Sequence, residues 1–509
     1  LKDNEVGSKF IPQWEEFAIQ SVSGATITLT SALRFDHLGP RNGDGALEFL
    51  PHIGNLTRNV LIRSENPSGT RGHMLFTRHA AVDIRYIEIE QMGRTRIDPL
   101  DNTTLDTSGT ATHIGTNQIG RYALHAHHLF GPTTTPANGY QFTFTGNSIH
   151  QGSAGHSFKW GIAVHDSHYG LIKDNVVYNT SGAGIAGEDG SESYNLFERN
   201  FVVRVDGSGN RGDGRGMSDL AHDGVGFWWR GTNNYIRDNV AANAYGTVNT
   251  LNRYGYKFFP VYVGNVKIPN FKGADTSVAG EYTVRQGNGI PILEFARNEV
   301  YSSESGITYW WVGAIGGTPV ATSDSIIKDF RAWHVHNNAI YNYEGSRVII
   351  DSPVVRGGQL PATSACCPTG YSGGDYLAHN FTIRNADIQG MGTGIAVSTA
   401  SGGGWQRIEN SSLRNYINID MRTLFTSASH SNGIPPRQLT VHNVEFREPT
   451  VKVASQPYRA ITMAYNPNPV RTLIRKDELT VTSYNKTVGN DFELCSNVVD
   501  GEVDETGVS

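Results

Sequence analysis

Cysteine is scarce, three in 509 residues: the neighbours Cys366 and Cys367, plus Cys495. That count excludes a disulfide framework and any cysteine-rich zinc module. The vicinal pair reads either as two ordinary thiols in a loop or as a strained ring or metal-binding pair. No apolar run reaches the about 18 residues that a membrane-crossing helix needs, so no membrane span is expected. No run of Lys or Arg stands out, the formal net charge is -6 and the pI is about 6.3, which argues against nucleic acid as a partner. Clear helical periodicity is missing. So are the two-residue Asn-Gly turns that would join most strands of an antiparallel sandwich.

Glycine, by contrast, is plentiful at 58 residues, a sign of many tight turns. Ala25–Thr30 alternates, Arg41–Gly45 is turn-rich, and Asn59–Arg63 and Val82–Glu90 read as strands. A period of two places Val82, Ile84 and Tyr86 on one face and Asp83 and Arg85 on the other. From there an asparagine followed by apolar residues recurs: Asn147, Asn175, Asn200, Asn239, Asn298, Asn338, Asn385, Asn410 and Asn443. The shortest spacing is 25 residues, from Asn175 to Asn200 and from Asn385 to Asn410. Such a period in β-rich sequence predicts a solenoid, an all-β, right-handed, single-stranded parallel β-helix with long loop insertions, ahead of a propeller or sandwich. An Asn at the same corner of each coil can stack its amide on the next. The reading divides the chain into an N-terminal cap or preceding β domain over 1–58, the β-helix over 59–487, and an acidic cap or linker over 488–509. Two departures from the period, Asp206–His222 and Tyr245–Ile290, read as functional walls.

One pattern is written four times: Tyr122–His127, Ile162–Ser167, Ile185–Gly190 and Gly226–Gly231. In that register Leu124, Ile162, Val164 and Ile185 point inward. His125, His165 and Glu188 rise as an outer column on coils about 4.8 Å apart, with His127 beside them. Ala123, Ala163 and Ala186 would leave a shallow trough next to it. Either Trp229 or Arg230 is the fourth member of the column. Three chemistries fit. His125, His127, His165 and Glu188 could ligate a divalent metal, zinc, manganese, iron or copper in preference to calcium. With Asp166, Asp189 and Arg230 they could supply acid, base and cation for glycosidic cleavage. Or they could merely hydrogen-bond along the stack. Trp228 and Trp229, and later Tyr309, Trp310 and Trp311, are candidates for stacking on sugar rings, with one of each Trp pair free to face the core.

Several stretches carry a resemblance: Ser21–Leu29, Leu33–Gly39, Leu56–Arg63, Arg71–His73, Gly120–His127, Ala163–His168, Asp174–Asn179 and Glu188–Gly190. The Gly-Arg-Tyr-X-X-His-X-His motif is the most specific. Over residues 20–245 the chain resembles the family of the cell-migration-inducing hyaluronan-binding protein, the transmembrane hyaluronidase and the fibrocystin-like proteins, and related bacterial secreted proteins. The resemblance implies a glycine-rich β domain ahead of a parallel β-helix, an extracellular location, and depolymerisation of hyaluronan or a related acidic or amino-sugar polysaccharide. A hydrolase would use Glu188 or Asp189 as acid with Asp166 as partner. A lyase would need a metal or Arg230 to neutralise a uronate and a His or Tyr base. A non-catalytic glycan-binding or adhesion module is the competing expectation.

Overall fold

The computed structural model describes the chain from Gln13 onward, apart from 152–157, 209–220, 246–252, 271–281, 359–367, 422–436, 464–472, 487–497, 505–509 and some shorter stretches. Cys366, Cys367 and Cys495 lie outside the described residues. The described residues hold strands, turns and a single short 3₁₀ turn, and no helix among them is long and apolar enough to cross a membrane.

Each coil contributes three strands. Gly170–Lys173, Val176–Ser181 and Ala183–Gly187 form one coil and pair in parallel with Leu196–Glu198, Phe201–Asp206 and Val225–Trp229 of the next. Repeated from Val60 onward, this builds the expected parallel β-helix. Its third face is a sheet of twelve described strands, from Met74–Arg78 to Arg459–Met463. Alternation along these strands sends Leu124, Ile162, Ile185, Phe227, Tyr256 and Ile307 into the bore, each fully buried. Val82 and Ile84 also face inward. Tyr86 does not: with φ 52° it turns the corner between Val82–Arg85 and Ile87–Glu90 and is 62% exposed.

The asparagines explain why the coils stay in register. Asn147, Asn175, Asn200, Asn239 and Asn298 are buried at one corner, and each of the first four donates its side-chain amide to the Oδ1 of the next at 2.9–3.0 Å. Each also donates to a carbonyl in a strand of the preceding coil, such as Ile172 O for Asn200. The residue before each Asn is left-handed: Gly146, Asp174, Arg199, Asp238 and Arg297, with φ of 52–68°. That conformation costs energy for a non-glycine residue. Here Arg199 grips Asp174 through two contacts of 2.8 and 2.9 Å, and Arg297 grips Asp238 at 2.7 and 2.8 Å, so neighbouring corners are clasped in pairs.

The segment before the first coil runs along the outside of the flank. Glu48 pairs with Arg356, Phe49 packs on Trp333, His52 N–H donates to Tyr301 Oη at 2.9 Å, and Arg58 Nε donates to Gly146 O at 2.8 Å. Gly54 sits where any Cβ would collide with Val176 and Phe201. At the other end, Val498–Val499 and Glu502–Asp504 form a small antiparallel sheet with Leu473–Arg475.

Candidate functional site

The register of the twelve-stranded face differs from the sequence expectation by two residues at its first step. Leu124, not Tyr122, pairs with Ile162, so His127 lies opposite His165 and His125 lies opposite Ala163. Gly187 pairs with both Val164 and Trp229. The next residues along these strands are His165, Glu188 and Arg230. The outer column is therefore His127, His165, Glu188, Arg230. Arg230, rather than Trp229, is its fourth member.

His127 and His165 stack with ring centroids 4.7 Å apart and planes inclined by 13°. His165 Nδ1 lies 3.0 Å from Glu188 Oε2, an ion-pair contact without the alignment of a hydrogen bond. Burial works against a charged imidazole at His165, but Glu188, with Glu192 and Asp189 further off, holds it protonated up to about 9. Glu188 is buried, which opposes ionisation, yet His165, His125 and the Tyr122 hydroxyl at 3.3 Å keep it below the usual carboxylate range. His127 is pushed down by burial and by its neighbours His165 and His128.

His125 is fully buried rather than on the outer rim. Its Nδ1 lies 3.0 Å from Gly120 O, so that nitrogen carries the hydrogen and Nε2 presents a lone pair with no partner among the described residues. Burial pulls its pKa down to about 3 against the pull of Glu188. The expected alanine trough is filled. Tyr122 and Trp160 stack at 4.2 Å in one buried cluster with Ala163 and Ala186.

Sequence reasoning missed His128. Strict alternation would turn it inward, but φ of 48° and a register shift opposite Thr77 and Arg78 leave His127 and His128 both half-buried on the outer side. The adjacent histidines at 127 and 128 were the available signal. One ligand atom from each of His127, His128 and His165 lies within 4.8 Å of the others, an arrangement able to hold a metal. His128 Nδ1 contacts Asp166 Oδ2 at 2.8 Å. Asp166 also accepts from Ser191 Oγ at 2.7 Å and faces buried His168 Nε2 at 3.6 Å. Despite burial, these partners hold Asp166 below its ordinary pKa.

Glu192, also missed, braces the turn. Its carboxylate accepts the backbone N–H groups of Asp166, Asp189 and Gly190 at 2.8–2.9 Å, while complete burial pushes its pKa up to about 7. Asp189 itself is exposed beside the column. Thr77, Arg78, His79, His127, His128 and Phe130 line an open cleft at this end of the face.

The aromatic expectation needs correction. Trp228, Trp229 and Tyr309 are fully buried and present no face to a sugar. Trp229 points into the bore among Phe197, Phe227 and Phe258, because the register puts it opposite Gly187. Trp228 points outward but is sealed with Tyr122, Trp160 and Phe259. Trp310 and Trp311 are half-buried, and Trp310 stacks on Tyr343 at 4.2 Å.

The histidine cluster and its carboxylate partners lie within a stretch that matches a known family. Residues 108–307 match the CEMIP beta-helix family model. The matched residues include the whole histidine column and its Glu192 brace. Fibrocystin-L of Mus musculus is 26% identical over 427 residues, 76% of this chain and 9% of that protein. The cell surface hyaluronidase CEMIP2 of Homo sapiens is 28% identical over 194 residues, 37% of this chain and 13% of that protein. The chain thus spans a small part of the length of the curated relatives it matches. Among solved structures, the catalytic domain of a GH87 alpha-1,3-glucanase in complex with nigerose aligns with a TM-score of 0.30 and 12% identity, covering 82% of this chain and 70% of that one.

Proposed function

We propose that this chain cleaves an acidic or amino-sugar polysaccharide outside the cell, as a glycoside hydrolase working at the His127–His128–His165 cluster with a divalent metal. The observation that carries the reading is the pairing of imidazoles with carboxylates. His165 Nδ1 faces Glu188 and His128 Nδ1 faces Asp166. Metal-ligating histidines are characteristically held this way, one ring nitrogen on a carboxylate and the other toward the ion. The ligand set thereby becomes His127, His128 and His165, which suits zinc, manganese, iron or copper. His125 and Glu188 lie outside that converging group of ligand atoms, and Glu188 faces His165 instead.

A metal held there supplies Lewis-acid polarisation of a glycan oxygen. Glu188 and Asp166 are kept ionised by their histidines, so they orient and stabilise cationic neighbours and are poor proton donors at neutral pH. Asp189, exposed beside the column, is the carboxyl group placed to meet substrate, and Arg230 in the same column favours a negatively charged sugar. The half-buried Trp310 and Trp311 offer edges for sugar contact further along the face. The matched CEMIP2 is named a cell surface hyaluronidase, which supports both the substrate class and the location.

One observation favours a second reading. The His165–Glu188 contact suits a protonated imidazole, which could serve as general acid with no metal bound. The test is elemental analysis of wild type and of His127→Ala with His165→Ala, beside reducing-sugar and ultraviolet assays over a panel of acidic glycans. Stoichiometric metal and activity, both lost in the double variant, support the metal hydrolase. Activity that survives chelation supports the protonated His165, an unsaturated ultraviolet-absorbing product makes the enzyme a lyase, and glycan binding without cleavage makes it an adhesion module.

A further inference from the structure

At the far end of the histidine column, the twelve-stranded face carries a second group of charges, sealed from water. Lys257 Nζ lies 2.6 Å from Asp223 Oδ2, and both side chains are 1% exposed. Lys257 belongs to Tyr254–Phe258, which pairs with Val225–Trp229, so the contact joins neighbouring coils. Asp223 sits just before the second of these strands. Its corner is pinned by left-handed Gly224 (φ 93°), with Gly224 N–H and Val225 N–H both donating to Gly182 O at 3.0 and 2.9 Å.

As an ion pair this arrangement is poorly satisfied. Asp223 Oδ1 has no hydrogen-bond partner among the described residues. The ammonium faces the rings of Phe259 at 4.7 Å and Trp310 at 5.2 Å, and Trp228 is its neighbour on the paired strand. Lys159, buried His222 and buried Tyr254 are the other titratable groups near the carboxyl. Taking a full charge pair out of water costs several kcal/mol per ion unless hydrogen bonds compensate. Burial accordingly pushes the Asp223 carboxyl toward its neutral acid against the pull of Lys257. An amine nitrogen held against a carboxyl group, with water excluded, is an amide-forming pair at high effective concentration.

We propose that Lys257 and Asp223 condense spontaneously into an intramolecular isopeptide bond that covalently staples two coils. The proton of the ammonium first crosses the contact to Oδ2. The free electron pair on Nζ then attacks Cγ, forming the C–N bond. Collapse breaks the C–O bond, and the departing hydroxyl takes a proton from nitrogen, so one water leaves. No oxidant, reductant or cofactor is needed. The product keeps one N–H and one C=O and carries no charge.

The experiment is intact-mass analysis of the folded, purified chain after denaturation, followed by proteolysis and tandem mass spectrometry. The wild type is expected to be one water lighter than its sequence, with a branched peptide joining the segments around Asp223 and Lys257. Lys257→Arg and Asp223→Ala, each unable to form the amide, should have their full sequence mass. A folded wild-type chain at full sequence mass, with the two segments recovered as separate peptides, overturns the proposal and leaves a buried ion pair. Because the deciding measurement is made on the wild type, a variant that fails to fold does not blur the result.

Discussion

The asparagine corner and the histidine column use the same device, a polar side chain repeated on successive coils, and end in opposite states. Along the corner, the amides of Asn147 through Asn298 are joined by donors and acceptors that match. Along the column, the imidazoles of His127 and His165 meet the buried Glu188 carboxylate, which His165 approaches without the alignment of a hydrogen bond, and beside them His125 Nε2 has no partner among the described residues. A self-complementary stack can be extended indefinitely and does no chemistry. A stack of unlike groups leaves ligand atoms over and sets proton affinities apart: against its burial, Glu188 raises His165 to about 9, while burial lowers the neighbouring His125 to about 3.

The sharpest way to break this contrast is at the column. Glu188→Gln should cut glycan cleavage at least about 100-fold, the scale of one lost electrostatic partner in an active site, while circular dichroism stays unchanged. Equal loss of activity and of folded structure would mean that the column is no more than a second ladder. The corner should behave in reverse. Asn200→Ala orphans the Asn175 N–H and the Ile172 carbonyl, and should cost about 3 kcal/mol of stability in urea unfolding, with kcat of the remaining folded enzyme intact.

A smaller effect should follow from Glu192. Its folded pKa of about 7 lies above the ordinary glutamate value, so between those limits the native state binds more protons than the unfolded one. The stability that this group confers is complete below the ordinary value and is lost as pH rises to about 7. Urea midpoints taken across that window should show the decline, and Glu192→Gln should flatten it. Smallest of all, Trp310→Ala should weaken glycan affinity a few-fold, whereas Trp228→Phe should lower only the melting temperature; equal effects on affinity would return Trp228 to the binding surface.

The fold was legible because its signal is redundant. Asn147 to Asn298 recur at one buried corner, and a misjudged coil is corrected by the next; Asn338 instead opens a strand of the twelve-stranded face, and Asn385, Asn410 and Asn443 are themselves left-handed corner residues. The site was legible in kind but not in register. Placing Tyr122 opposite Ile162 preserved the inward and outward faces, since an error of two residues leaves alternation untouched, yet it put His125 where His127 belongs. At the fourth coil the expected slip of one residue did change faces, and it sent Trp229 into the bore. His128 was hidden by a left-handed residue, which strand periodicity cannot anticipate. Glu192 was hidden because its partners are backbone N–H groups, and these leave no trace in residue type.

Solenoids ordinarily behave as chains of nearest neighbours, in which one end can fray while the other stands. The segment from Glu48 to Arg58 denies this molecule that freedom. Its contacts reach from Gly146 through Tyr301 to Arg356, so losing the coils near Arg356 also loosens the covering of coils some two hundred residues earlier. Pulled from its ends in a single-molecule instrument, such a rod should hold and then yield in one large step rather than shed coils one at a time.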